Sequence, residues 1–268
     1  MKKKLSATIV SVLMSLTLIS GAGAVSLQIG SITLDENVEM YNSTTYAPIR
    51  SASCAINPQS EVTWENGQAV VRVPGLTISA RPGDCYIQAN GRMLHAPEGV
   101  RLISGTTLVP IRTLAKAFDA SVAWDGAAKI ASISPGSGSI ASGESYYDSN
   151  SVYWLSRIIH AESSGEPLKG KIAVGNVILN RVDSTQYPNS IYEVIFDTRW
   201  GTQFQPVSNG TIYNTPSEES VLAAKLCLDG ASVVGNSLYF LNPAIATSSW
   251  IIQNCSYVAT IGNHQFYV

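Results

Sequence analysis

The chain has 268 residues, of which 45% are hydrophobic and only 13% are charged, with a formal net charge of −2. The charged fraction is about half of the ~25% that globular domains usually have, and the high apolar content argues against a disordered chain. Its length allows one large domain or two small ones. No basic stripe is present outside the first residues, which argues against nucleic acid as a main partner.

Residues 1–24 have the features of a secretory signal peptide. Lys2, Lys3 and Lys4 precede a mostly apolar run at 5–19, and Ala22-Gly23-Ala24 has the small-x-small form of a cleavage site. We predict removal after Ala24, and hence a secreted protein with net charge −5, because the leader holds three lysines and no acid. An uncleaved anchor helix is the alternative, but the run is shorter than the ~20 residues of a span. No later stretch could span a membrane.

Because the protein is predicted to be exported, its four cysteines could form disulfides. None lies in a CxxC motif and the chain has three histidines, so neither a metal site nor a cofactor is expected. An oxidising compartment would be compatible with the disulfides Cys54–Cys85 and Cys227–Cys255. Four free thiols are the alternative that the sequence leaves open.

A segment rich in serine and glycine divides the mature chain. Residues 134–150 read SPGSGSIASGESYYDSN and show no apolar period. Such a composition is typical of a flexible linker. We therefore predict domains at 25–136 and 151–268, joined by a linker at 137–150.

The first of these domains contains an internal repeat. Residues 43–50 (STTYAPIR) match residues 105–112 (GTTLVPIR), and each copy continues through a short Ala- or Ser-rich segment to Val-x-Trp, at Trp64 and Trp124. A polar turn and an alternating stretch then follow. This order predicts a strand, a short helix and a hairpin in each copy, and thus a small α+β domain of antiparallel strands packed on a short helix.

The pattern TLVPIR…VAWD at 107–125 resembles the N-terminal domain of copper amine oxidases, a small α+β module. The resemblance covers most of 76–134, with a partial copy at 31–75. It implies a binding or spacer module whose ligand the sequence does not reveal. His95 is the only histidine in the module, so copper ligands are not expected there.

The second domain is predicted to open with a helix from about Val152, capped by one of residues 149–151. On a helical wheel, where successive residues are ~100° apart, the apolar side chains of this helix lie on one arc. Glu162 lies in the middle of that arc. A carboxyl group in such a position faces the core or a cleft, and burial would raise its pKa toward the range of a general acid. The alternative is a helix-end residue that points outward, since Gly165 is a plausible C′ residue.

The remaining sequence predicts a mainly α domain with a small β element. A helix starts at Glu166-Pro167 and is apolar almost all round, so it should be the buried hub. Asn180, on its one polar strip, lines a cleft or satisfies loop backbone. A short helix at 190–196, a long loop at 199–213, a helix from a capping box at 215–218 to about 229, and strands near 238–241 and 257–268 follow.

Residues 153–182 (YWLSRIIHAESSGEPLKGKIAVGNVILNRV) resemble the opening of the SleB-type cell wall hydrolase domain, the catalytic part of spore cortex-lytic enzymes. The resemblance extends over 152–268. It implies a lysozyme-like, mainly α fold that cleaves peptidoglycan glycan strands with one catalytic glutamate, at the position of Glu162. The family usually has arginine where this chain has Ser164, and the loss of that cation would weaken substrate binding.

The expected activity is lytic transglycosylation of the MurNAc–GlcNAc β-1,4 bond, at the cell wall or spore cortex, with glycan strands as the partner. A glycosidase needs a second carboxylate at a defined separation, whereas a transglycosylase can use one glutamate as acid and then as base. His264 is expected to be structural. The candidate substrate-binding residues are Glu166, Asn180, Gln203, Phe204, Tyr239 and Asn242.

Three alternatives stay open on the sequence. A hydrolytic muramidase would use the same acid, and a non-catalytic wall-binding protein would work through the first domain. A secreted amidase or peptidase lacks an HExxH motif, although a cysteine and a histidine could still meet in space. The sequence does not separate spore cortex from vegetative wall as the substrate.

Overall fold

A computed structural model describes residues 25–268 of the chain. The predicted signal peptide at 1–24 lies outside the described residues, so its removal stays a prediction. Within the described part, no helix combines the length and the apolar character that crossing a bilayer requires.

The N-terminal domain is built mainly from β-strands, with two short helices. The helices are α1 (Ile49–Ile56) and α2 (Ile111–Ala117). The strands are β1 (Ser26–Ile29), β2 (Ile32–Leu34), β3 (Glu39–Tyr41), β4 (Thr44–Pro48), β5 (Glu61–Glu65), β6 (Gln68–Val73), β7 (Leu76–Ala80), β8 (Tyr86–Ala89), β9 (Arg92–His95), β10 (Arg101–Ile103), β11 (Thr106–Pro110), β12 (Ser121–Asp125) and β13 (Ile130–Ser134).

The repeat predicted from the sequence is present as β4–α1–β5–β6 and β11–α2–β12–β13. The two copies meet at their first strands, because β4 and β11 are antiparallel neighbours with Ala47 opposite Val109. The sheet orders are β12-β13-β1-β2, β10-β11-β4-β3 and β5-β6-β7-β8-β9. The expectation of antiparallel strands throughout is wrong at one place, since β1 runs parallel to β13. These strands are far apart in sequence, and no local pattern specifies their pairing.

The core of this domain forms where both helices pack on the inner faces of the sheets. Ile78, Ile87, Leu114 and Phe118 are fully buried there. In each copy the helix begins directly after a proline, Pro48 or Pro110, which ends the strand because it cannot donate to the ladder. The strand-to-helix turn of the repeat is thus encoded locally.

The segment predicted as a flexible linker is packed on the N-terminal domain. The Gly138 and Ile140 amides donate to the Phe118 and Ala117 carbonyls, both at 3.1 Å, and the Ile140 side chain joins the core. Gly143 passes so close to strand β9 that any Cβ would collide with the Gly91 carbonyl. The glycines of this segment predicted flexibility, whereas Gly143 lets two backbone segments approach each other closely.

The C-terminal domain is helical with one three-stranded sheet. Helix α5 is the buried hub predicted from its apolar pattern. The sheet order is β14-β16-β15, so the stretch predicted as one late strand is a hairpin. The elements are α3 (Gly143–Tyr146), α4 (Ser149–Ser163), α5 (Leu168–Asp183), α6 (Ile191–Ile195), α7 (Gln205–Asn209), α8 (Glu218–Leu228), β14 (Tyr239–Leu241), α9 (Trp250–Asn254), β15 (Tyr257–Ile261) and β16 (His264–Tyr267).

Helix α4 begins earlier than predicted. Its N-cap is Asp148 rather than one of residues 149–151, and the Asp148 carboxylate accepts a hydrogen bond from the Ser151 amide at 2.7 Å. Both aspartate and serine are good N-caps, so propensity alone could not choose among the four polar residues.

A buried ion pair joins the two domains. The Asp229 carboxylate, after α8, accepts a hydrogen bond from Arg92 Nε of β9 at 3.1 Å and another from the Tyr147 hydroxyl. The Asp229 side chain is fully buried. Lys116 of α2 adds a bond from its Nζ to the Asp229 carbonyl at 2.7 Å. We call Arg92, Lys116, Tyr147 and Asp229 the domain clamp.

The cysteines are all free, so neither predicted disulfide is formed. Cys227 is buried in the contact between α8 and α5, where its Sγ lies 3.4 Å from the Ile172 carbonyl. Cys54 is turned toward the Ser60 carbonyl, at 3.6 Å. Burial of the Cys227 thiol raises its pKa, which makes it an inert core residue rather than a reactive one.

Candidate active site

A groove of about 1200 Å³ opens in the C-terminal domain. Its walls come from the end of α4, the connection between α6 and α8, strand β14 and helix α9. We call it the α4 groove. It exceeds the ~300–1,000 Å³ of small-molecule pockets, so it has room for an extended ligand.

Glu162 lies at the wall of the α4 groove, in the last turn of α4. Its side chain is half-buried, as its place in the apolar arc of the helix predicts. Burial raises the pKa of this carboxyl from 4.5 to about 7, and the positive charge of Arg181 acts in the opposite direction. A carboxyl group in this range can be protonated at neutral pH and can also accept a proton back.

Arg181 is the charged partner of Glu162 that the sequence did not reveal. It is 6% exposed, and its Nε donates to the Leu238 carbonyl at 2.8 Å. One terminal nitrogen, Nη1, has no hydrogen-bond partner among the described residues. The guanidinium lies 4.9 Å from the Tyr187 ring centroid and 5.8 Å from that of Tyr239. An arginine near a helix C-terminus is ordinarily explained by its favourable interaction with the helix dipole. The residue type of Arg181 therefore gave no reason to predict it at the active site.

Aromatic rings form the rim of the groove. Trp200 is 67% exposed beside Tyr187, and the exposed Trp250 packs edge-on against Tyr239. Burial and a hydrogen bond with Tyr239 raise the pKa of Tyr187 to about 12. Of these rings only Tyr239 was a candidate from the sequence. The tryptophans lie in segments without apolar periodicity, where one sequence gives no reason to single them out.

Four of the six predicted binding residues lie at the groove, namely Gln203, Phe204, Tyr239 and Asn242. Phe204 is only 3% exposed and packs in the core, so it forms the wall rather than a free stacking surface. Asn242 accepts a hydrogen bond from the Ala244 amide at 3.0 Å through its Oδ1, which fixes its side chain. Gln203 is held by a bond to the Gly201 carbonyl at 3.1 Å.

Glu166, predicted as a substrate-binding residue, does not line the α4 groove. Its carboxylate accepts hydrogen bonds from the Asn263 amide at 3.0 Å and from Asn263 Nδ2 at 2.9 Å. Burial opposes ionisation, but these bonds and nearby cations lower the pKa of Glu166. A Cβ at Gly262 would collide with the carboxylate. Glu166 therefore fixes the β15–β16 turn against the start of α5.

Asn180, the other predicted binding residue that does not line the α4 groove, is hydrogen-bonded to loop backbone. Its Nδ2 donates to the Gly235 carbonyl at 2.8 Å and to the Ser237 carbonyl at 2.9 Å. This matches the second of the two possibilities considered from the sequence, the satisfaction of loop backbone. A helical wheel shows which face is polar, but it does not show whether substrate or another loop covers that face.

His264 lies at the groove, although it was expected to be only structural. The ring is buried edge-on against Phe240, at a centroid distance of 5.4 Å. Burial lowers the pKa of His264, although the negative charge of Glu166 acts in the opposite direction. Among the described residues, His264 Nδ1 has no hydrogen-bond partner.

Two family models match separate parts of the chain. Residues 165–267 match the Cell Wall Hydrolase family, and residues 27–133 match the Copper amine oxidase N-terminal domain. Glu162 precedes the first matched residue of the hydrolase family. Residues 25–268 contain no cluster of three or more His, Cys, Asp or Glu side chains that could hold a metal ion.

Spore cortex-lytic enzymes are among the proteins that are similar to this chain. The one from Bacillus cereus is 40% identical over 120 residues, which is 45% of each chain. That from Oceanobacillus iheyensis is 35% identical over 45% of this chain and 42% of its own. The chain thus spans less than half the length of these relatives.

The similar solved structures include the catalytic domain of the germination-specific lytic transglycosylase SleB from Bacillus anthracis. It is 38% identical and is matched over its full length by 48% of this chain, with a TM-score of 0.42. The two family matches identify residues 165–267 as a cell wall hydrolase domain and residues 27–133 as a copper amine oxidase N-terminal domain.

Proposed function

We propose that the chain is a secreted enzyme that cleaves peptidoglycan glycan strands, in the cell wall or spore cortex, by lytic transglycosylation at the MurNAc–GlcNAc β-1,4 bond. The observation that carries the proposal is Glu162, a half-buried carboxyl with a pKa raised to about 7 at the wall of a groove of about 1200 Å³. The similarity to spore cortex-lytic enzymes supports the substrate class.

In the first step Glu162 acts as a general acid. Its protonated carboxyl gives a proton to the glycosidic oxygen while the bond from that oxygen to C1 of MurNAc breaks. The raised pKa keeps a substantial fraction of Glu162 protonated near neutral pH, although an exposed glutamate would be ionised there. The sugar left behind carries positive charge at C1.

In the second step the same residue acts as a base. The Glu162 carboxylate takes the proton of the MurNAc 6-hydroxyl as that oxygen bonds to C1, which closes a 1,6-anhydro ring and restores the acid. Between the two steps the carboxylate is stabilised by the charge of Arg181, the residue that lowers its pKa. No water is consumed, so the scheme needs no second carboxylate to activate a water molecule.

The number of carboxyl groups that line the groove favours this one-glutamate scheme. Among the described residues that line the groove, Glu162 is the only one with a carboxyl group. Retaining and inverting glycosidases place a second carboxylate within about 5–10 Å. Glu166, the nearest acid in sequence, is held by Asn263 instead.

The rim of the groove offers suitable contacts for sugars. The exposed rings of Trp200 and Trp250 present flat faces on which sugar rings can stack, and Tyr239 lies beside the latter. The side-chain amides of Gln203 and Asn242 can hydrogen-bond acetamido groups, as predicted from the sequence.

Product analysis tests the proposed function. Purified vegetative sacculi and spore cortex are digested in parallel with the mature chain, and the fragments are identified by mass spectrometry. We expect fragments with 1,6-anhydro-muramyl ends. The substrate that is digested faster is then taken as the natural one. Reducing muramyl ends would show a hydrolytic muramidase instead. An absence of cleavage on both substrates would favour the non-catalytic wall-binding protein.

A further inference from the structure

A second cleft, of about 970 Å³, lies in the N-terminal domain against the C-terminal one. It is formed by the second copy of the repeat and by the β3–β4 turn, and Asp229 and Gly230 of the C-terminal domain close one side. We call it the Trp124 cleft. It is separate from the α4 groove, with which it shares no lining residue.

The charged side chains of the Trp124 cleft are mainly basic. Arg112, Lys116 and Lys129 line it, and partial burial together with the positive charge of Lys169 lowers the pKa of His95 in its wall. The one acid in the lining, Asp229, is fully buried and is paired with Arg92 and, at 3.5 Å, with Lys116. Arg112 and Lys129 are therefore the two lining cations that no acid in the lining neutralises.

The cations are positioned rather than free. Arg112 donates from Nη1 to the Val122 carbonyl at 2.9 Å, which leaves its other donors available. Lys116 is held by the Asp229 carbonyl at 2.7 Å. Glu98, which follows the lining residue Pro97, accepts a hydrogen bond from Nδ2 of Asn42 at 2.8 Å. A bound anion would thus meet donors that are already oriented, which lowers the ordering cost of binding.

A tryptophan forms the neutral part of the same cleft. Trp124 is 36% exposed on β12, opposite Ala131, and its Nε1 lies within van der Waals distance of the position that a Cβ at Gly126 would take. The first copy of the repeat has Trp64 at the equivalent place, opposite Ala69 and 55% exposed, but Trp64 lines neither cleft. Only the second copy combines an indole face with basic side chains.

We propose that the Trp124 cleft binds a carboxylate-bearing segment of peptidoglycan, namely a disaccharide with its acidic stem peptide. The indole of Trp124 stacks on a sugar face, and Arg112 and Lys129 pair with stem-peptide carboxylates. The choice of ligand rests on the proposed function of the α4 groove. Because the domain clamp joins the two domains, a strand held at this cleft keeps the groove at the wall.

The repeat supplies matched controls for the test. The mature chain carrying Glu162→Gln, which binds without cleaving, is sedimented with purified sacculi. We expect Trp124→Ala or Arg112→Ala to weaken binding by about fivefold or more. The equivalent changes Trp64→Ala and Arg50→Ala, on exposed residues of the first copy, should stay within about twofold of the parent. Sacculi freed of stem peptides by an amidase should bind the parent as weakly as intact sacculi bind the Arg112 variant.

Three outcomes would overturn the proposal. They are unchanged binding by Trp124→Ala and Arg112→Ala, equal losses in both copies of the repeat, and a loss that follows removal of phosphate-bearing wall polymers instead of stem peptides. Cleavage of soluble glycan oligomers by Trp124→Ala with Glu162 intact should equal that of the wild type. If no variant cleaves but the binding differences persist, the proposed activity fails and the binding site stands.

Discussion

Replacing Glu162 by glutamine should lower glycan cleavage by about a thousandfold or more, while the protein stays folded. Glutamine has nearly the same shape, but it can neither give a proton to the glycosidic oxygen nor take one from the 6-hydroxyl. In the wild type, activity should fall as the pH rises through about 7, because the carboxyl then loses the proton that it must donate. The measurement is the rate of release of soluble fragments from sacculi.

The matched control for this change is Glu218→Gln. Glu218 is an exposed acid in the first turn of α8 and lines neither cleft. It should retain full activity, which separates loss of a catalytic proton from loss of one negative charge. Substantial cleavage by a folded Glu162→Gln variant would show that another group donates the proton.

Replacing Asp229 by alanine should reduce the free energy of unfolding by about 3–5 kcal/mol. The change removes the carboxylate that pairs with Arg92 and accepts from Tyr147, and it leaves a guanidinium with its charge buried. The loss should be measured by urea unfolding. Asp183→Ala, at an exposed position at the end of α5, should change stability by no more than about 0.5 kcal/mol.

A double variant separates the two contributions to the Asp229 effect. Arg92→Met together with Asp229→Leu fills the same space without charge, and it should recover most of the stability that Asp229→Ala loses. If Asp229→Ala instead has the same urea midpoint of unfolding as the wild type, the Asp229 carboxylate contributes nothing to the stability of the protein. If the double variant is as unstable as the single one, packing at this contact matters more than the unpaired charge.

Local patterns predicted the elements that carry the function. The repeated TTxxPIR segments gave the strand and helix of each copy, because proline ends the strand in both. The helical wheel placed Glu162 on an apolar arc, and the half-buried carboxyl at the groove wall agrees with that placement. In both cases the signal lies within one turn or one hairpin, where a single sequence is informative.

Contacts between distant residues were beyond the sequence. Asn263, 97 positions away from Glu166, decides that this acid is structural, and the Gly235 and Ser237 carbonyls decide the same for Asn180. The glycines at 136 and 143 look like linker residues until the backbone that they approach is known. Arg181 became a candidate only when α5 and β14 were seen around the groove.

Direct titration of Glu162 tests the central claim, that a carboxyl at the groove wall holds its proton near neutral pH. Carbon-13 NMR of glutamate-labelled protein follows each side-chain carboxyl, and the signal absent from the Glu162→Gln spectrum assigns the residue. The account predicts a midpoint near 7, well above the 4.5 of an exposed glutamate. A midpoint near 4.5 would contradict it, because the residue would then be ionised at the pH at which it must act as an acid.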